Sequence, residues 1–174
     1  MTPAEIPAVL RRLRSGPLHT RTERTFDPLS GEIAVTRALP HREPFLFVDR
    51  VLSFDRAQRM LLAERYVDPE DPIFLGHFPG APVFPAALQI EAIGQACLCL
   101  WSLAENNGEP TRLGLRVTKV EQAQFMSPVM PGQTMQLHAQ LLATDELLVT
   151  AAGQVFVGER LCSVLVINVA IVDA

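Results

Sequence analysis

Apolar and polar positions change rhythm several times along this chain of 174 residues. Near the N-terminus Val9, Leu10 and Leu13 are spaced for one face of a helix over 7–14, with arginines at its end and Gly16-Pro17 to stop it. Residues 17–38 hold no sustained period and read as irregular, with one turn at Asp27-Pro28-Leu29-Ser30-Gly31. From Phe45 the pattern turns strand-like over 45–54 and 60–67, joined by the polar turn Asp55-Arg56-Ala57-Gln58. A loop punctuated by Gly and Pro follows. Then 86–104 is apolar except for Gly94 and the polar Gln89, Glu91, Gln95 and Ser102. Pro85 suits the first turn of a helix there, and Asn107-Gly108 ends it. Such a helix, apolar on nearly every side, must be surrounded by protein. Gly94 within it lowers helix propensity by about 1 kcal/mol and predicts close approach of another backbone. The remainder reads as strands over 113–125, 135–144, 147–157 and 161–172. Long antiparallel strands and one central helix have a simple packing solution, a sheet curled around the helix, so the class is α+β. Residues 1–38 read as an extension with too few apolar side chains for a core, and 39–174 as one domain.

Composition narrows the function classes. A hydrophobic share of 48% argues against disorder, and a net charge of −4 with pI near 5.5 carries no nucleic-acid signature. Charge is uneven: residues 1–66 hold 11 of the 15 basic side chains, and Arg11, Arg12, Arg14, Arg21 and Arg24 form a basic cluster. A solvated face is the plainer reading of it, and a face for an acidic partner the sharper one. Cys97, Cys99 and Cys162 are odd in number and lack metal-ligand spacing, so they read as reduced, buried thiols and no metal site is expected. The polar interruptions in 86–104 make it poor as a membrane span, and the N-terminus has no secretory apolar core. A soluble, cytoplasmic protein is expected.

The candidate chemistry lies in His77 and Glu91. The histidine sits in Gly76-His77-Phe78-Pro79-Gly80, and the carboxylate follows fourteen positions on, inside the apolar helix. An unpartnered charge in such a helix is costly, so a carboxyl that keeps its proton is expected there. A base beside a protonatable acid is what loss of water from a 3-hydroxyacyl group requires. Taken singly, either residue reads as structural. His41 reads as organising the turn before the first strand, His19 and His138 as surface or strand residues, and Tyr66 and Trp101 as packing residues.

Four segments in order carry a resemblance: Leu39-Pro40-His41-Arg42-Glu43-Pro44-Phe45 through Val51; Gly76 to Gly80 with Pro82 and Pro85; Glu91-Ala92 with Gln95-Ala96; and Phe125 to Gly132. Over about 39–172 the chain resembles the hotdog-fold 3-hydroxyacyl-acyl-carrier-protein dehydratases of fatty-acid synthesis. The resemblance implies a dimer of hotdogs, also found as a trimer of dimers, with His77 of one protomer facing Glu91 of the other. It implies dehydration of (3R)-3-hydroxyacyl thioesters to trans-2-enoyl thioesters without metal or organic cofactor, the phosphopantetheine arriving on an acyl carrier protein. Backbone N–H groups at Ala86 and Ala87, or at Phe78 and Gly80, are the expected oxyanion donors. Pro85 and Gln95 are supporting residues, and Phe84, Leu115, Val117 and Phe125 the expected tunnel or gate.

Three departures qualify the resemblance. Ala86 stands where the family has Gly; a left-handed φ there would cost Ala about 1–2 kcal/mol. Gln124-Phe125-Met126-Ser127-Pro128 lacks the basic residues that favour carrier docking, leaving Arg116 or Lys119 as substitutes. Leu115-Arg116-Val117 replaces an aromatic gate. Together with residues 1–38 they point to a specialised relative, working in polyketide, polyene or other secondary acyl-chain synthesis rather than housekeeping fatty-acid elongation, with fatty-acid synthesis as the wider expectation. The alternatives are a catalytically weak subunit or acyl-binding partner in a heterodimer with an active dehydratase, and a hotdog acyl thioesterase.

Overall fold

The computed structural model describes residues 4–19, 32–105 and 114–172. The turn expected at 27–31 and the helix stop at Asn107-Gly108 lie outside them. One six-stranded antiparallel sheet wraps the apolar helix α3, Ala86–Glu105. Its strands are β1 (Arg50–Asp55), β2 (Met60–Tyr66), β3 (Gly114–Phe125), β4 (Thr134–Thr144), β5 (Leu148–Val157) and β6 (Arg160–Val172), in the spatial order β1-β2-β4-β5-β6-β3.

Strand alternation sorts the two faces of the sheet. Leu137, Ala139, Val155, Leu165 and Ile167 point inward and share one core with Ala92, Ile93, Ala96 and Leu100 of α3. The next residues along, Ala152, Val164 and Val166, point outward. Helix and sheet approach each other tightly at Gly153. A Cβ there would lie 2.3 Å from Ile93 Cγ2 and 2.8 Å from the His138 carbonyl oxygen, so only glycine fits. By its length and composition α3 could cross a membrane, but 61% of its most apolar window is buried inside this fold. Cys97, Cys99 and Cys162 are buried and unpaired, and burial pushes the first two thiols up to about 12.

The outer face is covered by residues from the N-terminus. Helix α1 (Ile6–Ser15) sets Leu13 against Ala152, Val164 and Val166. Gln154, fully buried on β5, accepts from Leu18 N–H at 2.8 Å and donates to the carbonyls of Leu13 and Gly16, satisfying the C-terminal end of α1. Beyond α1, His19 is buried with its Nε2 2.8 Å from Ser53 Oγ, so it is not a surface residue. His138 lies beneath it on β4, edge-on to Phe156, and burial followed by the nearby His19 lowers its pKa to about 4.

Four expectations need correction. The irregular reading of 17–38 misses α2 (Glu32–Ala38), which sends Val35 and Ala38 into the main core. Seven residues are too few to show a helical period against their surroundings. The first strand starts at Arg50 and not at Phe45. The preceding segment gives its backbone groups to a side chain: Phe47 N–H donates to Gln95 Oε1 at 2.8 Å, and Phe45 O accepts from Gln95 Nε2 at 3.0 Å. Tyr66, read as packing, is 47% exposed at the end of its strand. Gly94, read as a point of close backbone approach, has nothing within 4 Å of where a Cβ would stand.

Candidate active site

A short 3₁₀ turn at Pro72–Leu75 starts the histidine loop, and Asp71 caps it by accepting from Ile73 N–H at 2.9 Å. The His77 backbone closes the loop on both sides, its N–H reaching Ile73 O at 3.0 Å and its carbonyl accepting from Val83 N–H at 3.1 Å. Phe84 N–H, bonded to Val129 O at 2.8 Å, pins the loop's end. The imidazole Nδ1 lies 2.8 Å from Val83 O. A carbonyl only accepts, so Nδ1 carries the hydrogen and Nε2 keeps its lone pair. The ring stacks on Phe78, with centroids 4.0 Å apart.

His77 opens on a cavity shared with Val83, Ala86, Gln89, Phe125 and Ser127. Ala86 begins α3, whose intrahelical bonding starts with Leu88 and Gln89 N–H to Pro85 O, both at 3.1 Å. The N–H groups of Ala86 and Ala87 belong to the first turn and have no acceptor within the helix. Among the described residues the non-glycine with positive φ is Arg59, so Ala86 carries no left-handed strain. Phe78 is 53% exposed and Gly80 makes the turn with φ of 75°.

Glu91 lies in a different cavity of the same protomer, of about 200 Å³. It is not sealed in the helix packing as expected; its side chain is 33% exposed. Gln95 Nε2 donates to Glu91 Oε1 at 2.9 Å while its other contacts hold the segment before β1. Gln95 thus serves twice, as a partner of the carboxylate and as a core hydrogen-bonding group. His41 Nε2 stands 3.6 Å from the same Glu91 oxygen. The turn there is held instead by Arg42, which donates to the carbonyls of Leu39 and His41 at 2.8 and 2.7 Å. His41 was therefore misassigned by its position before a strand, and belongs with Glu91.

The remaining expected site residues separate. Val117 lines the Glu91 cavity and Phe125 the His77 cavity. Phe84 is 3% exposed, touching the His77 cavity and the ring of Phe47. The side chain of Leu115 lies outside the described residues. Arg116 is exposed, whereas Lys119 is tied to Glu121 at 2.8 Å, which reduces its value as a free docking charge. Missed by sequence reasoning were His41, Leu98 and Trp101 as cavity residues. Helical spacing from Glu91 could have found the last two, since 91, 94, 98 and 101 share one face. Among the described residues no three His, Cys, Asp or Glu side chains form a metal-binding group.

A long apolar helix clasped by a curled antiparallel sheet defines this as a hotdog protein. The chain belongs to the FabA-like family, whose domain model matches residues 39–164. It is 36% identical over 133 residues to the 3-hydroxyacyl-acyl-carrier-protein dehydratase FabZ of Chlamydia trachomatis serovar L2, covering 76% of this chain and 86% of that relative. To the dehydratase of the same name from Symbiobacterium thermophilum it is 36% identical over 138 residues, covering 78% and 93%. Among solved structures it resembles the dehydratase heterocomplex ApeI:P from Xenorhabdus doucetiae, with TM-score 0.65 at 17% identity over 79% of this chain and 90% of that one. It also resembles the E. coli PaaI protein, with TM-score 0.53 at 10% identity over 69% of this chain and 80% of that one. Those two likenesses bear on fold alone.

Proposed function

We propose that this protein dehydrates (3R)-3-hydroxyacyl thioesters carried on an acyl carrier protein to trans-2-enoyl thioesters, in the cytoplasm, during fatty-acid or related acyl-chain synthesis. The observation that carries the reading is the division of the site. One cavity holds an imidazole with a free Nε2 next to a helix N-terminus, and the other holds a carboxyl oriented by an amide. A second copy of the chain that sets His77 against its partner's Glu91 completes both.

His77 Nε2 takes the proton α to the thioester carbonyl. The charge that develops on the carbonyl oxygen is met by N–H groups of the first turn of α3, Ala86 and Ala87, where removing one such donor typically costs on the order of 3 kcal/mol. Glu91 gives its proton to the β-hydroxyl, the C–O bond breaks, and water leaves. The proton on His77 is then available to restore Glu91, so atoms balance without any change of oxidation state. Gln95 holds the carboxyl in place, with His41 Nε2 3.6 Å from the same oxygen.

A second reading has its own support. The uncharged Gln124-Phe125-Met126 segment and the Lys119–Glu121 pair weaken the docking face, which favours a catalytically weak subunit that pairs with an active dehydratase. One assay separates the two. A short 3-hydroxyacyl thioester, on carrier protein and on a pantetheine mimic, is followed for mass loss of water. Turnover that falls by a factor of about 100 or more in both His77→Ala and Glu91→Gln supports the enzyme. No turnover from the folded wild-type protein supports the subunit reading.

A further inference from the structure

We propose that residues 4–19 form a strap over the outer face of the sheet, held by a histidine latch that releases it as pH falls. The device is independent of the reaction proposed above.

The strap sits on one row of residues that runs across the sheet. Strand register places Ser53 of β1 opposite Leu62 of β2, Leu62 opposite His138 of β4, His138 opposite Gln154 of β5, and Gln154 opposite Val164 of β6. Residues opposite one another share a face, here the outer one that carries Val164. The polar members Ser53, His138 and Gln154 are each no more than 3% exposed. They are dry because the strap lies on them. Gln154 fixes one side of it, through Leu18 N–H and the carbonyls of Leu13 and Gly16. On the other side His19 Nε2 lies 2.8 Å from Ser53 Oγ. His138 stands in the row between these two anchors. Neither of its ring nitrogens has a well-formed hydrogen bond among the described residues, the backbone of His19 being a lesser influence that favours charge.

The anchors differ in what acid does to them. Gln154 does not titrate, whereas the two imidazoles do. His19 faces Ser53 and Asp55 from β1 and His138 from β4. His138 faces His19 from the strap, Leu62 from β2, and Gln154 and Phe156 from β5. Arg12 adds a positive charge two positions further along β4, where it donates to Gln140. With the strap seated, burial and then His19 hold His138 at about 4, and burial lowers His19 against the pull of Asp55. Once the strap lifts, both rings meet water and return toward about 6.5. The lifted form then binds protons that the seated form refuses, so seating is full above about pH 6.5 and weakens below it. For His138 alone the ratio of lifted to seated chains rises about 30-fold between about pH 7.5 and about pH 5. The sheet can outlast the strap, because Leu13, Ala152, Val164 and Val166 form a cluster separate from the main core around α3.

Hydrogen exchange of the full chain reads the latch directly. Amide protection of residues 4–19, corrected for the pH dependence of intrinsic exchange, is compared with that of α3 at about pH 7.5 and about pH 5. The wild-type strap should lose protection by about 30-fold or more while α3 keeps its own. His138→Leu removes the charge and keeps the site apolar, and its strap should lose several-fold less. Adding His19→Gln should leave strap protection independent of pH. Loss of protection in step by strap and α3 would mean global unfolding and would overturn the proposal. So would a wild-type strap that stays protected at about pH 5, or one that loosens equally in wild type and double variant. The wild-type comparison decides alone should either variant fold poorly.

Discussion

Single residues in this protein do their work through what faces them. In the proposed reaction His77 can act as a base because Val83 O holds its hydrogen on Nδ1. Glu91 is legible in the sequence as a carboxylate in an apolar helix, but its partner His41 is fifty positions earlier and nothing local marks the contact. His138 offers a prediction at this scale. Its pKa falls to about 4, chiefly because burial disfavours the charged form, with His19 adding repulsion. The folded state therefore binds fewer protons than the unfolded chain between the ordinary histidine value and about 4. Stability is full above about pH 6.5 and falls as pH drops through that window, by an amount on the order of 3 kcal/mol. His19 is lowered for the same first reason, opposed by Asp55, and acts in the same direction. Denaturant unfolding of wild type and His138→Leu at about pH 7 and about pH 5 should show the variant losing less stability on acidification. Parallel losses would mean that other groups control acid unfolding.

At the scale of elements, two glycines that look alike in sequence have opposite roles. Gly153 lies in β5 where α3 presses against the sheet, and Gly94 lies in α3 where nothing presses back. Gly153→Ala should destabilise by about 1–3 kcal/mol, since the added Cβ meets both Ile93 and backbone that cannot move aside. Gly94→Ala should be neutral or stabilising by up to about 1 kcal/mol, the helix-propensity difference. Thermal melts of the two variants check both signs. The same scale explains the late start of β1. Phe45 to Asp49 has strand composition, yet Gln95 competes for its backbone groups, and a side chain from a distant helix leaves no trace in strand periodicity. Likewise α1 shows its apolar face in the sequence, while the surface it covers on β5 and β6 emerges only once the sheet is built.

For the whole molecule, the reaction proposed above asks for more than one protomer offers. One protomer keeps His77 and Glu91 in separate cavities, and its edge strand β3 presents exposed Val117, Val120 and Phe125. A twofold dimer in which each site takes His77 from one chain and Glu91 from the other makes a distinctive prediction. His77→Ala and Glu91→Gln homodimers should both be inactive. Unfolding and refolding them together should restore about a quarter of wild-type activity, because half of the dimers are mixed and each mixed dimer rebuilds one of its two sites. Activity that stays absent after mixing, with mixed dimers demonstrated by mass spectrometry, would place both groups of the working site in one chain.

The sequence already carries the helix-in-sheet architecture, because a twenty-residue apolar helix and long alternating strands leave few ways to hide that much hydrocarbon. It also marked His77 and Glu91, since a base in a constrained loop and a carboxyl in an apolar helix both stand out against their surroundings. Which groups surround them depends on contacts between segments far apart along the chain. His41 approaches Glu91 from a separate segment, Gln95 ties the carboxylate to the backbone of Phe45 and Phe47, Trp101 turns from packing residue into part of a cavity wall, and Gly94 faces open space where Gly153 does not. The physical reason is one of range: periodicity and caps report on neighbours along the chain, whereas cavities and contacts are made by residues the fold brings together.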